Sequence, residues 1–328
     1  MNVGKLRKWS FPIAVMYHVA RGRRRKTTPF SAILGGTSTD KISPERMFSM
    51  TIFDSHAHYF DSWYNDPTEG PLADELLPTI LASCGGIVSH IVNIGTNIDT
   101  SRLALSQAAQ YEGMYAAVGI HPEDCQQIEG RKDQMLALRA LLGCNTPDPA
   151  TFRKQNKIVA IGEIGLDYYE RDWLPVDRER QAWYFEEQMC LAKELNLPVI
   201  IHDRDAHGDC FETILRHPDV KGVFHSYSGS AEMARELWRR GWMISFSGVV
   251  TFKNAKRVQE VAASVPLEYL MVETDAPYLA PHPHRGKRNN SSLMVHTVEM
   301  LASLHGISCE DMALLTAQNA ARLFDISL

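Results

Sequence analysis

From about residue 52 onward, short apolar runs alternate with longer segments of helical periodicity. The apolar runs have the period-two alternation or the continuous β-branched character of strands. They predict strands at Ile52–His58, Ile87–Gly95, Tyr115–His121, Ile158–Asp167, Pro198–His202, Gly222–His225, Met243–Ser247 and Leu270–Asp275. The periodic segments predict helices at Ala73–Ser83, Thr100–Tyr111, Asp177–Asn196, Ala231–Arg240, Asn254–Ala263, Leu293–His305 and Glu310–Phe324.

Regular alternation of strand and helix is typical of βα units on a parallel sheet. Eight such strands predict an α/β fold, a (β/α)₈ TIM-type barrel, over residues 51–328. The irregular insert from Gly143 to Asn156 is predicted to be a surface loop.

The first fifty residues differ from the rest of the chain. They carry ten basic residues against two acidic ones, a net charge of +8, which leaves −13 for the other 278 residues. We expect a poorly structured basic extension over residues 1–50. Three interpretations stay open for it: translation that begins at Met47 or Met50, an Arg-rich organelle transit peptide, or a basic arm that contacts nucleic acid.

Composition narrows the class of protein. No run approaches the roughly 18 apolar residues that a membrane-spanning helix needs. The six cysteines are scattered without a Cys-X-X-Cys pair, which argues against a disulfide framework and favours a reducing compartment. We therefore expect a cytoplasmic protein without membrane contact. We also expect a monomer, although no sequence feature sets the oligomeric state. Its acidic body is unlike that of a bulk electrostatic nucleic-acid binder, so a phosphate substrate would have to be held locally.

Side chains that ligate metals lie at the carboxyl ends of the predicted strands. They are His56 and His58 on the first strand, His121 on the third, Glu163 on the fourth, His202 on the fifth, His225 on the sixth and Asp275 on the eighth. A single histidine among apolar residues is more often a satisfied core residue than a ligand. In a barrel, however, the carboxyl ends of all strands meet at one face, where active sites are built. Seven such residues therefore predict a metal site.

The donor set mixes imidazole nitrogen with carboxylate oxygen and contains no thiolate. It suits Mg²⁺, Mn²⁺ or Zn²⁺. Even six of these seven side chains exceed the needs of one tetrahedral ion, so we expect two divalent ions that share a carboxylate. Such a pair supports hydrolysis, most naturally of a phosphodiester.

Two further carboxylates are candidates for orienting the imidazoles. Period-two geometry places Asp54 on the same face of the first strand as His56 and His58. Glu273 has the same relation to Asp275 on the last strand. Both are expected either to hold an imidazole tautomer by a hydrogen bond or to fill an ordinary buried hydrogen-bonding role.

Six linked motifs follow one another in order after residue 52: Phe-Asp-Ser-His-Ala-His, Gly-Ile-His-Pro, Ile-Gly-Glu-Ile-Gly-Leu-Asp-Tyr, His-Asp-Arg-Asp-Ala, His-Ser-Tyr-Ser-Gly and Glu-Thr-Asp-Ala-Pro-Tyr-Leu, the last followed by Arg-Gly-Lys-Arg-Asn. In these motifs the chain resembles the TatD-type metal-dependent deoxyribonucleases, a branch of the amidohydrolase-like barrels, from about Ile52 to Phe324. It departs from the family pattern after the last segment, where Asn290, Ser291 and Ser292 replace an acid and a proline.

The resemblance implies two metal sites and a set of substrate contacts. The first ion would be held by His56, His58, Glu163 and Asp275. The second would be held by His202 and His225, with Glu163 bridging to it. Glu163 and Asp275 would be catalytic, Asp275 as the general base toward the attacking water. The residues expected near the substrate phosphate are His121, Arg285 and, as a weaker candidate, Arg204.

Together these features predict a 3′–5′ deoxyribonuclease acting on single-stranded DNA or 3′ ends. The alternative among hydrolases is metal-dependent cleavage of an ester or amide, such as D-aminoacyl-tRNA deacylation. A third hypothesis is a barrel that binds a metal or a partner without turnover, and the complete ligand set argues against it.

Overall fold

The computed structural model describes residues 52–82, 86–172 and 174–328. The predicted extension over residues 1–50 and the predicted helix end at Ser83 lie outside these residues. The described residues form one eight-stranded sheet in sequential order: β1 Ile52–Ala57, β2 Val88–Ile94, β3 Met114–Val118, β4 Ile158–Asp167, β5 Val199–Arg204, β6 Gly222–Phe224, β7 Met243–Phe246 and β8 Leu270–Val272. Each neighbouring pair is parallel. The predicted (β/α)₈ barrel is confirmed.

The barrel closes where the end of β1 pairs with the segment that follows β8. Ala57 forms a parallel bridge with Ala276. The amide of His58 donates to the carbonyl of Ala276 at 2.7 Å, and the amide of Asp275 donates to the carbonyl of His56 at 2.9 Å. The closure therefore holds His56, His58 and Asp275 side by side at the carboxyl-terminal mouth.

The predicted helices occur at Ala73–Ile80, Ile98–Gln110, Arg178–Leu195, Ala231–Arg239, Lys256–Ser264, Met294–His305 and Cys309–Phe324. Further helices that the periodicity did not predict lie at Pro122–Cys125, Arg131–Leu141, Pro149–Gln155 and His207–Arg216, with 3₁₀ turns at Ser62–Asn65, Gly248–Thr251, Leu267–Tyr269 and Ser291–Leu293. None of the helices in the described part of the chain is long and apolar enough to cross a membrane.

The prediction of a surface loop from Gly143 to Asn156 is wrong, because the segment contains the helix Pro149–Gln155. Asp148 caps this helix by accepting from the amide of Thr151, and Pro149 occupies its first turn. Arg153 is buried and donates to the carbonyl of Leu142 at 3.4 Å. The helix is too short to show apolar periodicity, so only its cap signals were present in the sequence.

The barrel interior is filled at the end opposite the mouth. One apolar cluster takes a residue from every strand: Phe53, Val92, Ala117, Ala160, Ile200, Val223, Met243 and Met271. Phe324 of the last helix joins the same cluster and closes that end. A larger cluster packs the outer faces of the strands against the helices. The polar residues at the mouth are therefore held above an apolar, packed core.

Candidate metal centre

Glu163 lies at the centre of a histidine cluster at the mouth and is only 3% exposed. Its Oε1 lies 2.8 Å from Nδ1 of His202 and 2.8 Å from Nε2 of His225. Its Oε2 lies 3.4 Å from Nε2 of His56 and 3.7 Å from Nε2 of His58. Each carboxylate oxygen thus faces a different histidine pair, as a bridging ligand would.

Asp275 completes the side of the cluster formed by β1. Its Oδ1 lies 3.7 Å from Nε2 of His56 and 3.5 Å from Nε2 of His58. Its backbone has a φ of +57°, in the left-handed region that aspartate tolerates better than most residues. This turn, together with the amide bond to His56, directs the carboxylate over the two imidazoles.

Three of the imidazoles have a fixed orientation because their outer nitrogen has an acceptor. Nδ1 of His58 donates to the carbonyl of Ile94 at 2.6 Å. Nε2 of His202 donates to Oδ2 of Asp167 at 3.1 Å, and Nδ1 of His225 donates to Oε1 of Glu273 at 3.3 Å. In each neutral ring the nitrogen that faces the cluster is therefore the one with the lone pair.

The pKa shifts of the clustered side chains indicate that this cavity favours positive charge. Burial alone would raise the pKa of the Glu163 carboxyl, but the charges of His225 and other imidazoles hold it well below its usual range. Burial would lower the pKa of His202, yet hydrogen bonds with Asp167 and Glu163 raise that pKa to about 9. His56 is the exception, since burial and the charge of His225 lower its pKa.

The side chains fit divalent cations. Nε2 of His56 and Nε2 of His58 are 3.1 Å apart, and Nδ1 of His202 and Nε2 of His225 are 3.2 Å apart. Lone pairs at such distances repel unless a proton or a cation lies between them. In the described part of the chain, three overlapping groups each bring three ligand atoms within 4.8 Å of one another: His56, His225 and Asp275; His56, His58 and Glu163; and His121, Glu163 and His202. Nitrogen with carboxylate oxygen suits Zn²⁺, Mn²⁺ or a partly hydrated Mg²⁺.

The predicted substrate-binding residues differ in their distance from this cluster. His121 is buried, and its Nε2 lies 3.5 Å from Oε1 of Glu163. Arg204 is exposed at the end of β5 and stacks on Tyr169, with Cζ 4.0 Å from the ring centroid. Arg285 is exposed in the loop after β8 and stacks on Phe252 at 4.5 Å. The structure therefore brings His121 into the cluster and leaves both arginines at the rim, in contact with aromatic rings.

The two candidate orienting carboxylates have different contacts. Glu273 holds the ring of His225, as the tautomer hypothesis expected. Asp54 contacts no imidazole ring, because the pairing of β1 with β2 shifts register between Asp54 and Ala57 and breaks the assumed parity. Its carboxylate accepts instead from the hydroxyls of Thr274 at 2.7 Å and Ser291 at 2.5 Å.

Sequence reasoning missed Asp167 as the partner of His202. Asp167 shares strand parity with Glu163 on β4, and that spacing could have revealed it. Arg171 pairs with the same carboxylate at 3.2 Å. Gly165 makes the arrangement possible, since its φ is +136° and a Cβ there would lie 2.0 Å from the carbonyl oxygen of His202.

Comparisons with known proteins agree with this geometry. The family described as TatD related DNase matches residues 53–325. The chain is 38% identical to the uncharacterized metal-dependent hydrolase YabD of Bacillus subtilis, over 84% of this chain and 100% of that protein. It is 45% identical to the metal-dependent hydrolase YcfH of Escherichia coli K12, over 61% of this chain and 78% of YcfH.

A solved structure agrees as well. The crystal structure of YJJV, a TatD homolog from Escherichia coli K12, matches with a TM-score of 0.72 at 28% identity and covers 86% of this chain and 100% of that one. The barrel with its carboxylate and histidine cluster at the mouth defines a metal-dependent hydrolase. Within that class, the chain belongs to the TatD-related DNase family.

Proposed function

We propose that this hydrolase is a two-metal deoxyribonuclease that removes nucleotides from the 3′ end of DNA, acting on single strands or frayed ends as a monomer. The observation that carries the proposal is the position of Glu163 between two histidine pairs, one facing each carboxylate oxygen. When bound at such a donor set, a pair of divalent ions polarises a phosphodiester and makes water more acidic. One ion would be held by His56, His58 and Asp275, and the other by His202 and His225. Glu163 would bind both ions.

Asp275 is suited to take the proton of the attacking water. Burial would raise the pKa of its carboxyl, but the hydrogen bond with His58 and the charges of the neighbouring imidazoles lower it, so the group is ionised at neutral pH. Its side chain is 16% exposed, whereas that of Glu163 is 4% exposed. Asp275 is therefore the carboxylate of the cluster that entering water can reach.

His121 is suited to donate to a phosphate oxygen. It is the N-cap of the helix Pro122–Cys125, and its Nδ1 accepts from the amide of Glu123 at 3.1 Å. In the neutral ring the proton is then on Nε2, which points at the cluster. A donor in this position would bind the non-bridging oxygen of the scissile phosphate rather than a cation.

Aromatic faces at the rim favour unpaired bases. Tyr169, two residues after β4, is 45% exposed, and its ring is contacted by the guanidiniums of Arg204 and Arg171. Tyr278, after β8, is also 45% exposed and lies beside Trp63 at 6.2 Å between ring centroids. Stacking of bases on such rings is independent of sequence and requires a single strand. Tyr227, by contrast, is buried and donates to the carbonyl of Ser230, so its aromatic ring serves packing.

The test uses the full chain stripped with chelator and supplied with Mg²⁺, Mn²⁺ or Zn²⁺. A 5′-labelled single-stranded oligonucleotide should give a ladder that shortens from the 3′ end, and a 3′-labelled one should release labelled mononucleotide at once. Asp275→Asn should abolish both products, while Asp172→Asn, at an exposed position outside the cluster, should leave them unchanged. Intact DNA under all three ions, with hydrolysis of D-aminoacyl-tRNA under the same conditions, would replace the nuclease by the ester hydrolase.

A further inference from the structure

A second group of ligand-type side chains lies on the outer helices. Glu186, Cys190 and His217 bring a carboxylate oxygen, a thiol sulfur and an imidazole nitrogen within 4.8 Å of one another. The group shares no residue with the Glu163 cluster. It also differs from that cluster in chemistry, because it contains sulfur.

The fold explains why these three residues meet. Glu186 and Cys190 are four positions apart on the helix Arg178–Leu195 and so share one face of it. His217 is the C-cap residue of the helix His207–Arg216. The two helices follow β4 and β5 and run back from the mouth, and β6 begins at Gly222, just after His217. The group therefore lies toward the amino-terminal ends of the strands, away from the active-site mouth.

Local contacts preorganise two of the three ligands. His217 is 7% exposed, and its Nε2 lies 2.7 Å from Oε1 of Glu186. Arg216 donates to Oε2 of Glu186 at 3.0 Å and to the hydroxyl of Thr213 at 3.0 Å, which leaves Oε1 directed at the imidazole. Cys190 is exposed and carries a free thiol. Hydrogen bonds thus hold the ligands on the inner side of the site, and its outer side is open to solvent.

We propose that Glu186, Cys190 and His217 bind a zinc-type divalent cation, separate from the ions of the catalytic centre. Thiolate and imidazole favour Zn²⁺ over Mg²⁺, which prefers oxygen ligands. Three protein ligands with an open outer side leave the fourth tetrahedral position to water. Binding releases the thiol proton of Cys190 to solvent and moves the imidazole proton of His217 from Nε2, which faces Glu186, to Nδ1, so that Nε2 is free to ligate. The ion links two neighbouring helices of the outer ring.

Cobalt makes the site visible because a thiolate–Co²⁺ bond gives an intense near-ultraviolet charge-transfer band. The Glu163 cluster contains no sulfur ligand among the described residues, so this band reports the outer site only. Co²⁺ added to the chelator-stripped full chain should produce the band. Cys190→Ser should remove it and leave hydrolysis unchanged, while the matched variant Cys144→Ser should keep it. A wild-type protein without the band, or a band that persists in Cys190→Ser, would overturn the proposal.

A second measurement does not depend on the folding of a variant. Iodoacetamide labelling of Cys190 in the wild-type protein should slow at least tenfold with Zn²⁺ and should not change with Mg²⁺. His217→Gln keeps a polar side chain of similar size. In this variant the Zn²⁺ concentration that gives half-maximal protection should rise at least tenfold. Equal labelling rates with and without Zn²⁺ would overturn the proposal and leave Glu186 and His217 as a hydrogen-bonded pair only.

Discussion

Nε2 of His202 donates a hydrogen bond to Oδ2 of Asp167 across 3.1 Å, from the end of β5 to the end of β4. The bond turns Nδ1 of His202 toward Oε1 of Glu163 at 2.8 Å. Asp167 is itself held by the amide of Tyr169 at 2.9 Å and by Arg171. A carboxylate that contacts no other member of the cluster thus decides which nitrogen His202 presents to it.

Asp167→Asn should weaken metal binding to the chelator-stripped protein by about tenfold to a hundredfold, because the amide replaces a charged acceptor by a neutral one. Calorimetric titration with Mn²⁺ measures the change. The exposed control Asp172→Asn should bind as the wild type does. Equal affinities in all three proteins would mean that Asp167 has a structural role only.

For the proposed two-metal centre, Glu163→Gln should reduce the bound metal from two ions per chain to fewer than one, since both histidine pairs lose their shared oxygen ligand. Hydrolysis should fall by roughly 10²- to 10⁴-fold, corresponding to several kcal/mol of transition-state stabilisation. Metal content by mass spectrometry after gel filtration gives the stoichiometry. Loss of one ion with the other fully retained would contradict a bridging carboxylate.

Gly165→Ala should destabilise the fold by about 3 kcal/mol or more, because its φ of +136° and the carbonyl of His202 leave no place for a Cβ. Gly208→Ala is the matched control in the helix His207–Arg216, where a Cβ would meet nothing within 4 Å. It should change the unfolding free energy by at most about 1 kcal/mol, toward greater stability. Denaturant unfolding of both variants tests the pair.

Arg153→Ala should cost about 2 kcal/mol of unfolding free energy, because the buried guanidinium donates to the carbonyls of Leu142 and Leu195 and these acceptors would be left unpaired. Lys154→Ala alters the exposed neighbour on the same short helix and should change stability by less than about 0.5 kcal/mol. Thermal unfolding distinguishes the two variants. Because alanine favours a helix at both positions, equal losses would mean that the buried contacts of Arg153 contribute no stability of their own.

Burial raises the pKa of the Cys125 thiol to about 12. Because this value exceeds the pKa of the unfolded thiol, about 8.5, the stability that the group contributes is fully present below pH 8.5 and is lost as the pH rises toward 12. Iodoacetamide should therefore label exposed Cys190 but not Cys125 in the folded metal-free protein at pH 9. Mass spectrometry identifies the labelled sites, and denaturant should make both reactive.

Much of the fold was predictable because strand and helix periodicity are local properties. All eight strands were found within a few residues, and β4 runs from Ile158 to Asp167 as predicted. Some helices were not predicted, among them His207–Arg216, although its apolar residues do lie on one face. In the segment 143–156 the capping signals at Asp148 and Pro149 outweighed a composition typical of a loop.

The candidate site was predictable as a set of residues, since the βα topology brings the carboxyl ends of all strands to one face. His56, His58, Glu163, His202 and Asp275 are together for that reason. The sequence also determined the donor chemistry, imidazole and carboxylate without thiolate.

The tertiary structure alone decided how these groups face one another. Ring orientation depends on acceptors far away in the chain, such as Ile94 for His58 and Glu273 for His225. A register shift in β1 directed Asp54 to Thr274 and Ser291, away from the imidazoles. Local sequence patterns carry no information about such shifts or about partners more than thirty residues apart, which only packing brings into contact.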